Sequence, residues 1–196
     1  MLRFFIVLTI TLIGVVVQSD PNVTQEQILA GPVAEKLPPL EVRRPVPRSQ
    51  WNDEAKLWLA RSCAGEAGFT NYDECLGIAW VYATRAKELR YPFVTLIRRY
   101  SAAVKSKENK RREWILGLNL NGTKPKGWPT NLSWKKHKVF WFRMLDMLDD
   151  WAKGHYKNPV EGANHYGGPM DTPGKKWTRI HPEPAWLFRN SFYRDI

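Results

Sequence analysis

The sequence has few of the residues that build disulfide frameworks and metal sites. It contains two cysteines and four histidines in 196 residues. Two cysteines exclude a miniprotein built on several disulfides, and they also exclude a zinc-ribbon array. No pair of His or Cys residues has the spacing of metal ligands on one helix face. We therefore expect neither a metal nor another cofactor.

Long uncharged runs are absent except at the N-terminus. Arg3 precedes an uncharged run of 14 residues from Phe4 to Val17, which is short for a membrane span. The tripeptide 17–19, Val-Gln-Ser, approximates the small-x-small pattern of a cleavage site. We predict that residues 1–19 are a signal peptide or an uncleaved signal anchor. The protein would then be exported to the periplasm or cell wall, and an uncleaved segment would contact the inner membrane.

Aromatic residues are absent from residues 20–50, which contain six of the fourteen prolines, whereas all ten tryptophans lie at or beyond Trp51. A stretch of this composition cannot bury enough apolar surface to offset the entropy of ordering it. The sequence therefore predicts a disordered linker at 20–50 and one folded domain at 51–196.

The predicted domain carries most of the net charge of +11, since it has 25 basic and 15 acidic side chains. Such an excess favours a polyanionic partner, namely nucleic acid, anionic lipid or an anionic wall polymer. The basic run Lys105–Arg112 lacks interleaved aromatic residues for base stacking. We interpret this run as a solvated helix face or a contact for wall polymer, and expect a monomer that binds no nucleic acid. A secreted nuclease or nucleic-acid-binding protein is the alternative that charge alone suggests.

The spacing of apolar residues predicts a mainly α domain with a loop-rich C-terminal part. Asn71 and Glu74 have the spacing of a capping box, and Ser133 and Gly154 flank the most regular apolar pattern. The predicted helices are Asp53 to about Glu66, Asp73 to about Leu89, Phe93 to Arg99, Glu108 to Leu116 and Trp134 to Lys153.

The two cysteines lie near the end of the first predicted helix and the start of the second. In an exported protein this spacing suits a disulfide between Cys63 and Cys75 that clamps the turn between the helices. Two reduced core cysteines are the alternative.

Glu66 is the carboxylate with the most unusual sequence context. It ends an apolar helix, has no Lys or Arg four residues before it, and precedes the small residues Ala67 and Gly68. The negative end of the helix dipole and the missing ion pair both favour a raised pKa, as a general acid requires. The alternative is an exposed Glu at a helix end.

Several motifs in order resemble the SleB-type cell wall hydrolases. In that family the first helix carries the catalytic Glu and the second ends in an Asn-Arg pair, where this chain has Thr84 and Arg85. Ser191 stands where the family often has His. The similar segments are Leu59-Ala60-Arg61 with Gly65-Glu66-Ala67-Gly68, Gly77–Arg85, Tyr91-Pro92-Phe93 with Tyr100-Ser101, Gly162–Tyr166 and Arg189–Arg194.

The resemblance covers about Trp51 to Arg194 and implies a lysozyme-like domain. That domain would cleave peptidoglycan strands between N-acetylmuramic acid and N-acetylglucosamine, commonly as a lytic transglycosylase, in an endolysin or a wall-remodelling enzyme. Glu66 would be the catalytic acid. By motif position, the residues expected to bind the glycan are Tyr100, His165, Tyr166, Asn190 and Tyr193.

A hydrolytic mechanism would need a second carboxylate. Asp73, Glu74, Asp171 and Glu183 are the available residues, and none has a context as distinctive as that of Glu66. We therefore favour a transglycosylase, in which the substrate's own hydroxyl attacks. The alternatives are an N-acetylmuramidase and a secreted basic protein that binds the wall without turnover.

Overall fold

A computed structural model of the chain describes residues 44–105, 111–167, 177–181 and 190–195. The predicted signal segment 1–19, and the predicted linker up to residue 43, lie outside the described residues. Within the described ranges, none of the helices combines the length and apolar character needed to cross a membrane.

The described part of the chain is mainly helical, as the sequence predicts. A short 3-10 turn at Arg48–Gln50 precedes the first α-helix. The predicted bounds of the first helix are confirmed, and those of the second and last differ by one residue at one end. The helices are α1 Asp53–Glu66, α2 Tyr72–Leu89, α3 Phe93–Tyr100, α4 Ala102–Lys105, α5 Arg112–Gly117 and α6 Trp134–Ala152.

Side-chain caps fix where α1 and α2 begin. The side chain of Asn52 accepts a hydrogen bond from Ala55 N at 2.9 Å. Asn71 accepts one from Glu74 N at 3.2 Å and donates through Nδ2 to the Glu74 carboxylate at 2.7 Å. The second pair has the spacing of the predicted capping box, and in it the carboxylate accepts from the cap side chain.

The core lies between α1 and the helices packed around it. Leu59 of α1 and Trp141 and Trp151 of α6 are fully buried. At one end of this core, a disulfide joins Cys63 in α1 to Cys75 in α2, with Cα atoms 5.0 Å apart. The predicted disulfide is therefore confirmed, and it clamps the corner between the two helices.

A three-stranded antiparallel sheet occupies the C-terminal region that the sequence predicts as loop. Its strands are β1 His165–Gly167, β2 Trp177–Ile180 and β3 Ser191–Asp195, in the order β1-β3-β2. Strands of three to five residues are too short to show a period of two, which is why the sequence pattern missed them. Fully buried Phe192 packs this sheet against Val81 of α2.

The end of the predicted linker is part of the folded domain, which corrects the boundary at residue 50. Val46 is only 2% exposed and belongs to the hydrophobic core. Gln50 Oε1 accepts a hydrogen bond from Phe93 N at 2.9 Å, at the start of α3. Pro92, the N-cap of α3, makes no side-chain cap bond, so Gln50 supplies the acceptor that this helix start lacks.

Candidate active site

Glu66, the last residue of α1, lines a small cleft of about 120 Å³ between the helices and the sheet. Residues from four other parts of the chain complete this cleft. They are Val81, Tyr82 and Arg85 of α2, Tyr100 and Ala102 on either side of the α3–α4 junction, Tyr166 and Gly167 of β1, and Asn190 before β3.

Two donors hold one oxygen of the Glu66 carboxyl group. Oε1 accepts hydrogen bonds from Ala103 N at 2.8 Å and from Ser101 Oγ at 3.3 Å. An oxygen that faces an amide N–H does not itself carry a proton, so a protonated Glu66 would carry its proton on Oε2.

A close helix contact makes the Ala103 bond available. A Cβ atom at Gly65 would overlap Ala103 Cβ and press against Ile115 Cδ1. The missing side chain therefore allows α4 to approach α1, so that the Ala103 amide reaches the neighbouring carboxylate. The absence of a side chain at Gly65, next to Glu66, thus has a structural reason.

A chain of hydroxyl groups connects Tyr166 to Glu66, and both of these residues line the cleft. Ser62 Oγ donates to Ser101 Oγ at 2.9 Å, and Ser101 donates to Glu66. Since the single proton of Ser62 is used, Tyr82 Oη must donate to Ser62 at 3.2 Å and Tyr166 Oη to Tyr82 at 2.7 Å. All four hydroxyl protons therefore point in one direction, from Tyr166 toward the carboxylate.

Burial keeps both tyrosines of this chain in the neutral form. Burial raises the pKa of Tyr82 to about 12, although its hydrogen bonds with Ser62 and Tyr166 oppose the shift. Burial also raises the pKa of Tyr166 well above its usual value, and the nearby Tyr82 and Glu66 charges add to the rise. Both groups can thus act as hydroxyl donors at neutral pH.

Three of the five predicted glycan-binding residues line the cleft, and two do not. Tyr100, Tyr166 and Asn190 lie at the cleft with Glu66. His165 pairs with Tyr193 across β1 and β3, so these two side chains share the opposite face of the sheet from Tyr166. The motif order could not separate His165 from Tyr166, whereas strand alternation does.

His165 instead belongs to a polar group outside the cleft. Its Nδ1 lies 2.8 Å from Asn164 Oδ1, and Asn164 Nδ2 donates to Glu88 Oε2 at 2.8 Å. Asn164 is buried, and its backbone N–H donates a hydrogen bond to the Tyr193 carbonyl at 3.0 Å. These hydrogen bonds hold the start of β1 in place, so the contacts of His165 stabilise the fold.

Asn190 is placed by a buried carboxylate. Its backbone N–H donates to Glu74 Oε1 at 2.6 Å, while its side-chain Nδ2 is buried and lacks a hydrogen-bond partner among the described residues. Glu74 is fully buried, and Asp73 is 7% exposed. Glu74 therefore ties β3 to α2, in agreement with its interpretation as a first-turn residue. Asp171 and Glu183 lie outside the described residues.

Sequence reasoning did not select Ser62, Tyr82 or Arg85 as site residues, although the structure places them at or behind the cleft. Ser62 lies four residues before Glu66 in α1, and Tyr82 lies three before Arg85 in α2, so each pair shares a helix face. This spacing was a signal that could have identified them. The Arg85 guanidinium carbon lies 4.0 Å from the centroid of the Tyr100 ring.

Within the described ranges, no three His, Cys, Asp or Glu side chains gather as they would around a metal ion. Comparison with family models, with curated proteins and with solved structures finds no match to this chain.

Proposed function

We propose that this protein cleaves the glycan strands of peptidoglycan, with Glu66 as general acid, most simply as a lytic transglycosylase. The observation that supports this proposal best is the convergence of four sequence-predicted residues on one cleft. Glu66, Tyr100, Tyr166 and Asn190 come from segments up to about 120 residues apart, and all four line it. The SleB-type resemblance assigns the acid and glycan-binding roles to these same positions.

The chemistry of the cleft suits a sugar. Aromatic rings stack on the apolar faces of sugars, and Tyr100, a residue that is 37% exposed, lines the cleft. Asn190 also lines the cleft, and its amide can offer a hydrogen bond to a sugar hydroxyl or acetamido group. An aromatic ring and a polar amide beside one carboxyl group are suited to bind a sugar and to cleave its glycosidic bond.

In the proposed reaction, Glu66 first acts as an acid and then as a base. The proton on Oε2 passes to the glycosidic oxygen as the bond from that oxygen to C1 of the muramic acid breaks. The C6 hydroxyl of the same sugar then attacks C1 and gives its proton to the Glu66 carboxylate. The product is a 1,6-anhydromuramic acid end, and the acid is regenerated without water.

We favour this route over hydrolysis because one carboxylate suffices for it. Among the described residues that line the cleft, Glu66 is the sole carboxylate. Glu74 is engaged with Asn71 and Asn190, so it serves the fold. A muramidase would need a second carboxylate, spaced for direct attack or for a bridging water.

Replacing Glu66 by Gln tests the acid. The Gln side chain keeps an oxygen that can accept from Ala103 N and Ser101 Oγ, so the fold and sacculus binding should survive. General acid catalysis contributes roughly a hundredfold to ten-thousandfold. Wall lysis by Glu66→Gln should therefore fall at least about a hundredfold.

Glu54→Gln is the matched control, because Glu54 is an exposed carboxylate in the first turn of the same helix. It should lyse walls at the wild-type rate. A folded Glu66→Gln variant that keeps a tenth or more of the activity would remove Glu66 from the mechanism. Binding of sacculi by the wild type without any lysis would favour a wall-binding protein instead.

Mass analysis of the soluble products separates the two enzymatic routes. Anhydromuropeptides released from purified sacculi would support the transglycosylase. Reducing muramic acid ends would show hydrolysis, and would direct the search to a carboxylate outside the described residues, Asp171 or Glu183.

A further inference from the structure

Arg85 brings a positive charge to the cleft that nothing in the described structure neutralises. Its side chain is half-buried and lines the cleft together with Glu66. Among the described residues its guanidinium makes no hydrogen bond and no ion pair, and it lies over the Tyr100 ring. A guanidinium has five N–H donors, so this group has an unused capacity for an anion.

The contact with Tyr100 fixes the position of this charge. The guanidinium carbon lies 4.0 Å from the ring centroid, which is the closest of the cation–ring contacts in the described residues. Stacking orients a planar guanidinium and leaves its edge available for a bidentate partner. Arg99 approaches the same ring at 5.7 Å, which strengthens the positive field at this rim.

The cleft also keeps Arg85 from pairing with the carboxylate inside it. Glu66 Oε1 is held by Ala103 N and Ser101 Oγ, and no ion pair joins Glu66 to Arg85. An ion pair would favour the ionised form of Glu66 and would consume the charge of Arg85. Because the two groups share a cleft without pairing, the positive charge remains for a ligand that enters it.

We propose that Arg85 binds a carboxylate of the glycan strand beside the bond that Glu66 protonates, and so determines which strands are cut. This inference rests on the proposed function. A planar carboxylate matches the guanidinium edge with two parallel hydrogen bonds. Two carboxylates in peptidoglycan have this chemistry: the lactyl group of muramic acid when no stem peptide is attached, and the carboxylates of an attached stem peptide.

Three preparations of the same strands distinguish these sources. The first bears stem peptides, the second has been stripped by an amidase to expose lactyl carboxylates, and the third is the stripped strand coupled to methylamine, which leaves a neutral amide. Rates of cleavage by the wild-type protein need no variant, and we expect the best carboxylate-bearing strand to exceed the neutral strand about tenfold or more.

Two variants assign this preference to a residue. Arg85→Gln should reduce the rate ratio between charged and neutral strands to near one. Arg98→Gln is the matched control, because Arg98 stacks on Trp58 at 4.9 Å, is exposed and does not line the cleft. It should keep the wild-type ratio.

Each result has a defined meaning. A preference for stripped strands that Arg85→Gln abolishes identifies the lactyl carboxylate, and a preference for peptide-bearing strands that it abolishes identifies the stem. Equal wild-type rates on charged and neutral strands, or equal losses in Arg85→Gln and Arg98→Gln, would overturn the role of Arg85 while leaving the proposed function intact. Failure of the wild type to cut any of the strands would overturn both.

Discussion

The hydroxyl chain behind the cleft gives a sharp test at Tyr82. This side chain is 1% exposed, and its hydroxyl both donates to Ser62 and accepts from Tyr166. Tyr82→Phe removes the one oxygen that joins them and leaves the aromatic ring in place. The Tyr166 hydroxyl then loses its acceptor, and Ser62 loses its donor.

The size of the effect follows from these two losses. A buried polar group left without its partner costs about 1–3 kcal/mol. Each kcal/mol lowers the melting temperature of a domain of this size by about 2–4 °C. We therefore expect Tyr82→Phe to melt several degrees below the wild type, measured by circular dichroism or calorimetry.

Tyr72→Phe is the matched control, because it lies in the same helix and is also buried. Its hydroxyl makes only a long contact of 3.4 Å to the Phe140 carbonyl. A contact of that length contributes little, so its loss should cost at most about half as much as the loss at Tyr82. If Tyr82→Phe melts within a degree of the wild type, or no lower than Tyr72→Phe, the directional chain is wrong.

Three further outcomes are expected. The disulfide between Cys63 and Cys75 closes a loop with a sequence separation of 12, so removing it should lower the free energy of unfolding by roughly 3 kcal/mol. Thiol labelling of the unreduced, denatured protein should detect no free cysteine, and two labelled thiols would contradict the bond. The raised pKa of Tyr82, about 12 against an ordinary value of 10, means that the folded state holds a proton that the unfolded state releases first. Its contribution to stability is complete below pH 10 and is lost as the pH rises toward 12, which urea midpoints across this range would reveal; a constant midpoint would contradict it. Limited proteolysis should first cut on the N-terminal side of Val46, and a stable fragment beginning at Trp51 would instead restore the boundary predicted from the sequence.

Local patterns were sufficient for the long helices α1, α2 and α6, whereas the four-residue helix α4 was not predicted. The apolar spacing predicted α1 at Asp53–Glu66, and the structure has the same bounds. The disulfide also followed from local information, since Cys63 and Cys75 flank a single helix–helix corner. These features depend on residues close together in the sequence, where periodicity and spacing carry the information.

The sheet and the buried polar groups could not be predicted in the same way. β1 and β3 pair residues almost thirty positions apart, and neither strand is long enough to show a pattern. The hydroxyl chain joins Ser62, Tyr82 and Tyr166, each on a different element. Their proximity depends on how these elements pack together. The sequence shows only that Ser62 shares a helix face with Glu66, and Tyr82 with Arg85.

The same limit explains why only three of the five predicted glycan-binding residues line the cleft. His165 and Tyr166 are neighbours in one motif, and motif position alone assigns them the same role. In the strand they face opposite sides of the sheet, so Tyr166 reaches the cleft and His165 does not. Knowledge that this segment is a strand would have been enough to separate them.

The contact between Gly65 and Ala103 connects the reactive carboxyl group to a remote part of the chain. The amide that holds Glu66 belongs to α4, a helix of only four residues, and the segment that follows α4 has no counterpart among the motifs of the resemblance. Insertions or deletions after Lys105 are therefore expected to shift α4 and, with it, the Ala103 amide. Such changes are therefore a way to alter the acid strength of Glu66 without replacing any residue that lines the cleft.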